Sequence, residues 1–220
     1  ITLFSPHEVP ELYEAWGTES FDDLYEKAER KTSVKKTKIN AQELFFDILK
    51  ERAETGRIYI MNIDHCNTHS SFKDRVTMSN LCQEITLPTT PIQHIDGEGE
   101  IALCILSAIN VGKINKRDEL QPLCDLAVRA LDEIIAHQKY PIDAAEKSTK
   151  ARRSLGIGYI GLAHYLAKKG YKYDQKLAWR QVDKLTEAFQ FYLLTASNEL
   201  AKEKGQCSAF KQTKYADGIL

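Results

Sequence analysis

The sequence predicts an α/β fold, and three patterns carry that prediction. Two runs rich in β-branched and aromatic side chains, RIYIMNI (residues 57–63) and EIALCILSAI (residues 100–109), read as strands. Two long stretches read as amphipathic helices. One carries Leu120, Leu123, Cys124, Ala127, Leu131 and Ile135 in a single stripe. The other, residues 174–204, carries Leu185, Phe189, Leu193, Ala196 and Leu200 and is stopped by Gly205. Strand and helix signals interleave along the chain, which favours parallel strands over hairpins.

The remaining elements follow in order. PELYEAW and FDDLYEKAERK read as short helices, and the basic run KTSVKKTK as a solvated connection. Asn40 followed by Glu43 is a loose capping-box start. Leu44, Phe45, Ile48 and Leu49 then repeat at helical spacing up to Gly56. DHCNTHSSFKDR (residues 64–75) reads as a polar loop, and PTTPIQHIDGEG (residues 88–99) as a turn-rich connection between the strand regions. From residue 117 onward the pattern is helical. No internal repeat or low-complexity tract interrupts it.

Composition narrows the function classes. With 220 residues, 43 % of them hydrophobic, the chain can bury a sizeable core. Thirty Lys and Arg face 31 Asp and Glu, so charge alone gives no reason to expect a nucleic acid or an acidic membrane as partner. The longest apolar run, IALCILSAI, is too short to span a bilayer. The chain opens on Ile1 without a Met or a signal peptide and stops at Leu220, the pattern expected of a piece of something longer. Five cysteines (66, 82, 104, 124 and 207) form no CxxC pair, which suits reduced thiols in a reducing compartment, most of them packed as small core residues.

One stretch resists a purely structural reading. In SNLCQEITLP (residues 79–88), extended chain would place Asn80, Cys82 and Glu84 on one face and Leu81, Gln83 and Ile85 on the other. A strand end with its polar side facing water explains this pattern. A Cys–His hydrolase is a second option, but Glu84 beside the thiol would oppose a thiolate. A third is one-electron chemistry: a sulfur radical takes a hydrogen atom from an activated C–H bond, the carboxylate takes a proton from the neighbouring hydroxyl, and the amide holds the other polar groups. On spacing alone Cys104 is most simply a core residue.

Two other motifs compete. GIGYIG (residues 156–161) matches the GxGxxG dinucleotide fingerprint, but the residues before it, EKSTKARRSL, have no strand character. His65, Cys66 and His69 form HCxxH, three possible zinc ligands with no second pair to complete a structural site.

SNLCQEITLP, together with GRIYIMNIDHCNTHSSF, GEIALCILSAINVGKI, ARRSLGIGYIGLAHYLAKKG and SNELAKEKGQCSAFKQTKYADGIL, resembles blocks of the class I ribonucleoside-diphosphate reductase large (α) subunit, in the family's order and across essentially the whole chain. The resemblance implies that Cys82 forms a transient thiyl radical that abstracts the ribose 3′-hydrogen. It also implies that Glu84 takes the 3′-hydroxyl proton and that Asn80 hydrogen-bonds the sugar. The run Asn80, Leu81, Cys82, Gln83 and Glu84 becomes the substrate-contacting finger loop, and Cys104 one member of the redox dithiol. The implied fold is part of a ten-stranded α/β barrel with the loop inside it and GIGYIG in a helical part. Residues 1–220 would form one partial barrel domain: a helical lead-in to about residue 56, loop and strands to about 112, then mainly helices.

The same resemblance implies a cytoplasmic parent enzyme that reduces ribonucleoside diphosphates for DNA synthesis. Its large subunit is expected to be a homodimer regulated by ATP and deoxynucleotide effectors. A separate metal-containing small subunit supplies the radical, and thioredoxin or glutaredoxin re-reduces C-terminal cysteines. This chain itself is expected to bind no metal or cofactor, no nucleic acid and no membrane. The second dithiol cysteine, the radical-passing tyrosines and the effector sites are expected outside residues 1–220, so the segment alone should have no turnover. Cys66, Cys124 and Cys207 match no catalytic position.

Overall fold

Helices and short strands alternate in the computed structural model, in keeping with the α/β class. It describes residues 1–92, 94 and 99–219, so part of the turn-rich connection (residues 93 and 95–98) lies outside the described residues. Among the described residues there are two two-stranded sheets and no closed barrel. The chain divides into two units, Ile1–Thr89 and Thr90–Leu220.

In the first unit, β1 (Thr2–Phe4) pairs antiparallel with β2 (Lys36–Lys38), so the basic run ends in a strand instead of a free connection. The helices α1 (Pro10–Glu14) and α2 (Phe21–Arg30) lie between them in sequence. Tyr25 of α2 ties the layer together: its hydroxyl accepts from Thr2 N at 2.6 Å and donates to Thr2 O at 3.0 Å. The expected cap of α3 (Ala41–Thr55) is present, with Asn40 Oδ1 accepting from Gln42 N at 2.9 Å and Glu43 N at 3.3 Å.

Two expectations in this unit fail. RIYIMNI forms neither helix nor strand over residues 57–62 and pairs with no strand among the described residues. Its β-branched and aromatic side chains favour extended backbone, but a strand also needs a neighbour to satisfy its N–H and C=O groups. The following polar loop is instead α4 (Ile63–His69). Asp64 in its first turn and His69 in its last complement the helix dipole, and the Asn67 and Thr68 side chains donate back to Ile63 O and Asp64 O.

In the second unit, β3 (Ile105–Asn110) runs parallel to β4 (Leu155–Ile160) in the register Ile105↔Leu155 through Asn110↔Ile160. Between them lie α5 (Leu120–His137) and α6 (Asp143–Arg152), and after them α7 (Leu162–Lys168) and α8 (Lys176–Lys204). The strand expected at 100–109 thus begins five residues later in the chain, at Ile105. GIGYIG belongs mostly to β4 and not to a helix, a correction to the expected placement. The polar residues before it obscure the strand because they form the end of α6, which is capped by Arg153. The predicted stripes are largely the core. Leu120, Cys124, Leu131 and Ile135 of α5 are buried, as are Leu185, Phe189, Ala196 and Leu200 of α8, whereas Leu123 stays partly exposed. Tyr159 of β4 meets Phe189 of α8 edge to face at 5.6 Å, closing sheet onto helix. No described helix is long and apolar enough to cross a membrane.

Candidate active site

The stretch SNLCQEITLP is not extended. Leu81, Cys82 and Gln83 make a tight turn, closed by Gln83 N donating to Asn80 O at 3.1 Å, and Gln83 sits in the left-handed region at φ 63°. Strict alternation therefore fails, and the shared face expected for Asn80, Cys82 and Glu84 is replaced by a folded tip. The physical reason is local. Asn80 Oδ1 accepts from Ile85 N at 3.0 Å, and Ser79 Oγ donates to Ile85 O at 2.9 Å, so the side chains substitute for a partner strand.

This neck leaves residues 81–84 projecting. Leu81 is 78 % exposed, and Cys82 and Glu84 are exposed, with Gln83 half-buried between them. Because Asn80 Oδ1 faces a backbone N–H, the amide orientation is set, and its NH2 group makes no hydrogen bond among the described residues. The arrangement offers a donor, a thiol and a carboxylate within five consecutive residues, on a loop whose base is fixed.

The base is held by a residue that sequence reasoning passes over. Asn67 of α4 donates to Val76 O and accepts from Val76 N, both at 2.8 Å, reproducing the pairing of a strand neighbour. Val76 is fully buried and Phe72 nearly so. Arg75 Nη1 adds a bond to Glu14 O at the end of α1. The only signal for this role in the sequence is an asparagine in a supposed loop.

Cys104 lies in the second unit, immediately before β3, and is half-buried. Ile105 N approaches Ser154 O at 3.5 Å, which sets the first residue of β3 beside the residue before β4. The entry to β3 is further held by Arg152 Nη2 donating to Glu100 Oε2 at 3.0 Å, a pair almost shielded from water. Gly156 faces the thiol: a Cβ at this position would lie 2.7 Å from Cys104 Sγ. The space of a side chain is taken here by Leu106 Cδ2, nearer still, together with the Cys104 sulfur.

The competing motifs sort out by geometry. Three of the fingerprint positions, Gly156, Gly158 and Gly161, fall within β4 or at its end, and only Gly161, at φ 77°, occupies the strand–helix junction. The dinucleotide motif needs its glycines in the turn after the strand. His65, Cys66 and His69 share α4, yet no group of three or more His, Cys, Asp or Glu side chains among the described residues could hold a metal ion. Burial pushes the Cys124 thiol up to about 11, and desolvation raises that of Cys207 as well, so both are poor nucleophiles.

The family model for the ribonucleotide reductase barrel domain matches residues 1–220. The ribonucleoside-diphosphate reductase subunit alpha of Haemophilus influenzae is 54 % identical over 226 aligned residues, covering 100 % of this chain and 30 % of that protein. The subunit alpha of Buchnera aphidicola from Schizaphis graminum is 53 % identical, over 98 % of this chain and 29 % of its own length. Ribonucleoside-diphosphate reductase 1 subunit alpha of Escherichia coli K12 is 54 % identical, over 100 % and 30 %. The chain thus spans about 30 % of the length of these relatives. On the strength of a family match that runs from its first residue to its last, the chain belongs to the ribonucleotide reductase barrel-domain family.

Proposed function

We propose that the chain is part of the large subunit of a class I ribonucleoside-diphosphate reductase and that residues 80–84 are its substrate-contacting loop. The observation that carries this reading is an accessible Cys82 thiol on a turn built by Asn80, in a chain 54 % identical along its whole length to a protein named ribonucleoside-diphosphate reductase subunit alpha.

In this reading a separate, metal-containing small subunit supplies the oxidising equivalent that makes Cys82 a thiyl radical. The sulfur takes the 3′-hydrogen atom of the ribose, forming S–H as C3′–H breaks. Glu84 removes the 3′-hydroxyl proton, and the free NH2 group of Asn80 donates to the sugar oxygens. The 2′-hydroxyl leaves as water. Two electrons and the protons come from a dithiol that closes to a disulfide, with Cys104 as one of its sulfurs. Return of the hydrogen atom from Cys82 to C3′ restores the thiyl radical.

The ten-stranded barrel belongs to the same reading, with β3 and β4 as neighbouring staves and the finger loop inside, where water is excluded from the radical. The exposed Leu81 suits a tip that such a barrel would cover. Deoxynucleotide and ATP effectors, a dimeric large subunit, thioredoxin or glutaredoxin as reductant and a cytoplasmic location complete it.

The test is Cys82→Ser in the longest natural polypeptide that carries this sequence, assayed with small subunit, effector and dithiol. Deoxynucleotide formation is expected to vanish, and undiminished reduction would end the reading. The 220-residue chain by itself is expected to show no turnover.

A further inference from the structure

A cavity of about 340 Å³ in the second unit lies among the exit of β3, the start of α5, α7 and α8. Its walls carry five cationic side chains, Lys116, Arg117, Lys168, Lys169 and Lys184, and no carboxylate. Its floor is apolar, formed by Val111, Leu120 and Leu185. None of the five cations forms an ion pair among the described residues, although most other charged side chains of α5 and α8 near residues 125–133 and 199–204 are paired.

Lys168 is held in place. Its ammonium donates to Gly112 O at 3.2 Å and to Asn115 Oδ1 at 3.0 Å, two neutral acceptors that orient the group without cancelling its charge. An ammonium has three protons, so one remains for a ligand. Lys169 lies 5.1 Å from the Tyr165 ring centroid, again placed by a neutral group. Five like charges around one small concavity repel each other, and field lines concentrate where the apolar floor lowers the local dielectric. A bound anion relieves that repulsion.

We propose that this cavity binds a compact polyphosphate: an inorganic chain of two or more phosphates, or the phosphate tail of a nucleotide. Size and charge select this class. The cavity is at the small end of ligand sites, too small for a folded segment of a partner. A monocarboxylate would neutralise one charge of five, whereas a tri- or tetra-anionic phosphate chain meets several ammonium groups at once. The lining residues all belong to the second unit, and the proposal does not depend on the reaction proposed for the finger loop.

The experiment measures equilibrium binding of inorganic tripolyphosphate to the longest natural polypeptide carrying this sequence, at about 0.15 M salt to screen diffuse attraction. The wild type is compared with Lys116→Gln/Lys184→Gln and with Lys168→Gln. The side chains of Lys116 and Lys184 are exposed and form no hydrogen bond or ion pair among the described residues, so their loss leaves the fold intact. The double variant is expected to bind one tripolyphosphate fewer per chain, and Lys168→Gln to weaken that site about tenfold. A nucleoside triphosphate that competes at lower concentration than tripolyphosphate supports a nucleotide as the natural ligand. Equal or weaker competition supports the inorganic chain. Unchanged stoichiometry and affinity in the variants, or displacement by sulfate at the same ionic strength, would overturn the proposal.

Discussion

Gly156 and Cys104 share one volume: the sulfur of the cysteine stands where the side chain of residue 156 would begin, with only 2.7 Å between Sγ and an added Cβ. The parallel register of β3 and β4 pairs Gly156 with Leu106, whose Cδ2 would meet the added Cβ even more closely than the sulfur does. Gly156→Ala therefore forces the Leu106 side chain and the thiol, or the strand itself, to move. Overpacking of this kind costs about 1–3 kcal/mol. Denaturant unfolding should register that loss, and the alkylation rate of Cys104 should change with it. A variant as stable as wild type with the same Cys104 reactivity would mean that the Leu106 side chain and the sulfur turn aside at no cost.

The turn at the loop tip makes a separate prediction. Gln83 holds a left-handed conformation that a β-branched residue adopts only with strain of about 1–3 kcal/mol. On the proposed function, Gln83→Val should unfold the tip and abolish turnover in the longest natural polypeptide, with little change in melting temperature. Gln83→Gly keeps the backbone accessible and should retain much of the activity. Equal losses in both variants would shift the importance from the backbone angle to the glutamine side chain.

Thiol reactivity should separate the cysteines of the 220-residue chain. Cys82 is exposed, while Cys124 is fully buried with its thiol pushed up to about 11. At pH 8 that leaves about one thiolate in a thousand at Cys124. Iodoacetamide followed by peptide mass mapping should find Cys82 among the first modified, and Cys124 only after unfolding. Labelling of Cys124 at the rate of Cys82 in the native chain would contradict the packing of α5.

Much of this architecture is legible in the order of the residues, for identifiable reasons. α5 and α8 announce themselves because Leu120, Cys124, Leu131 and Ile135, or Leu185, Phe189, Ala196 and Leu200, recur at a period that only a helix brings to one face. Asn40 is a cap because capping is chemistry within four residues. The residue types of the loop, Asn80, Cys82 and Glu84, stand out as chemistry wherever they are placed. Their geometry does not, because alternation presumes a partner strand, and here Ser79 and Asn80 replace that partner with their own side chains. β4 is hidden by its glycines and by the charged helix that leads into it. The Gly156–Cys104 contact depends on a register between segments about fifty residues apart, which no local pattern encodes.

The ion pairs that join α5 to α8 set the last expectation, a pH window. Arg129 donates to both carboxylate oxygens of Glu203 at 2.7 Å and to Asp125 at 3.0 Å. Lys204 bonds Glu133 and, at 3.0 Å, Asp132, which is buried and also receives Arg153 Nε at 2.6 Å. The Arg129 hydrogen bond holds the Glu203 carboxyl below its usual range, and that from Lys204 does the same for Glu133. A carboxylate depressed in the folded chain stabilises it above the ordinary value near 4.5 and ceases to do so as pH falls through the folded value. Lys204, raised by Glu133 and then Asp132, contributes below its ordinary value of 10.5 and loses that contribution above it. Thermal stability should therefore plateau across neutral pH and drop on acidification, and Glu203→Gln should flatten the acid limb. Asp132→Ala should cost far more, about 3 kcal/mol, because it strands the Arg153 guanidinium beside a buried backbone carbonyl and leaves Lys204 with one partner fewer. An acid limb of the same depth in Glu203→Gln would show that the pairing with Arg129 contributes nothing to the folded state.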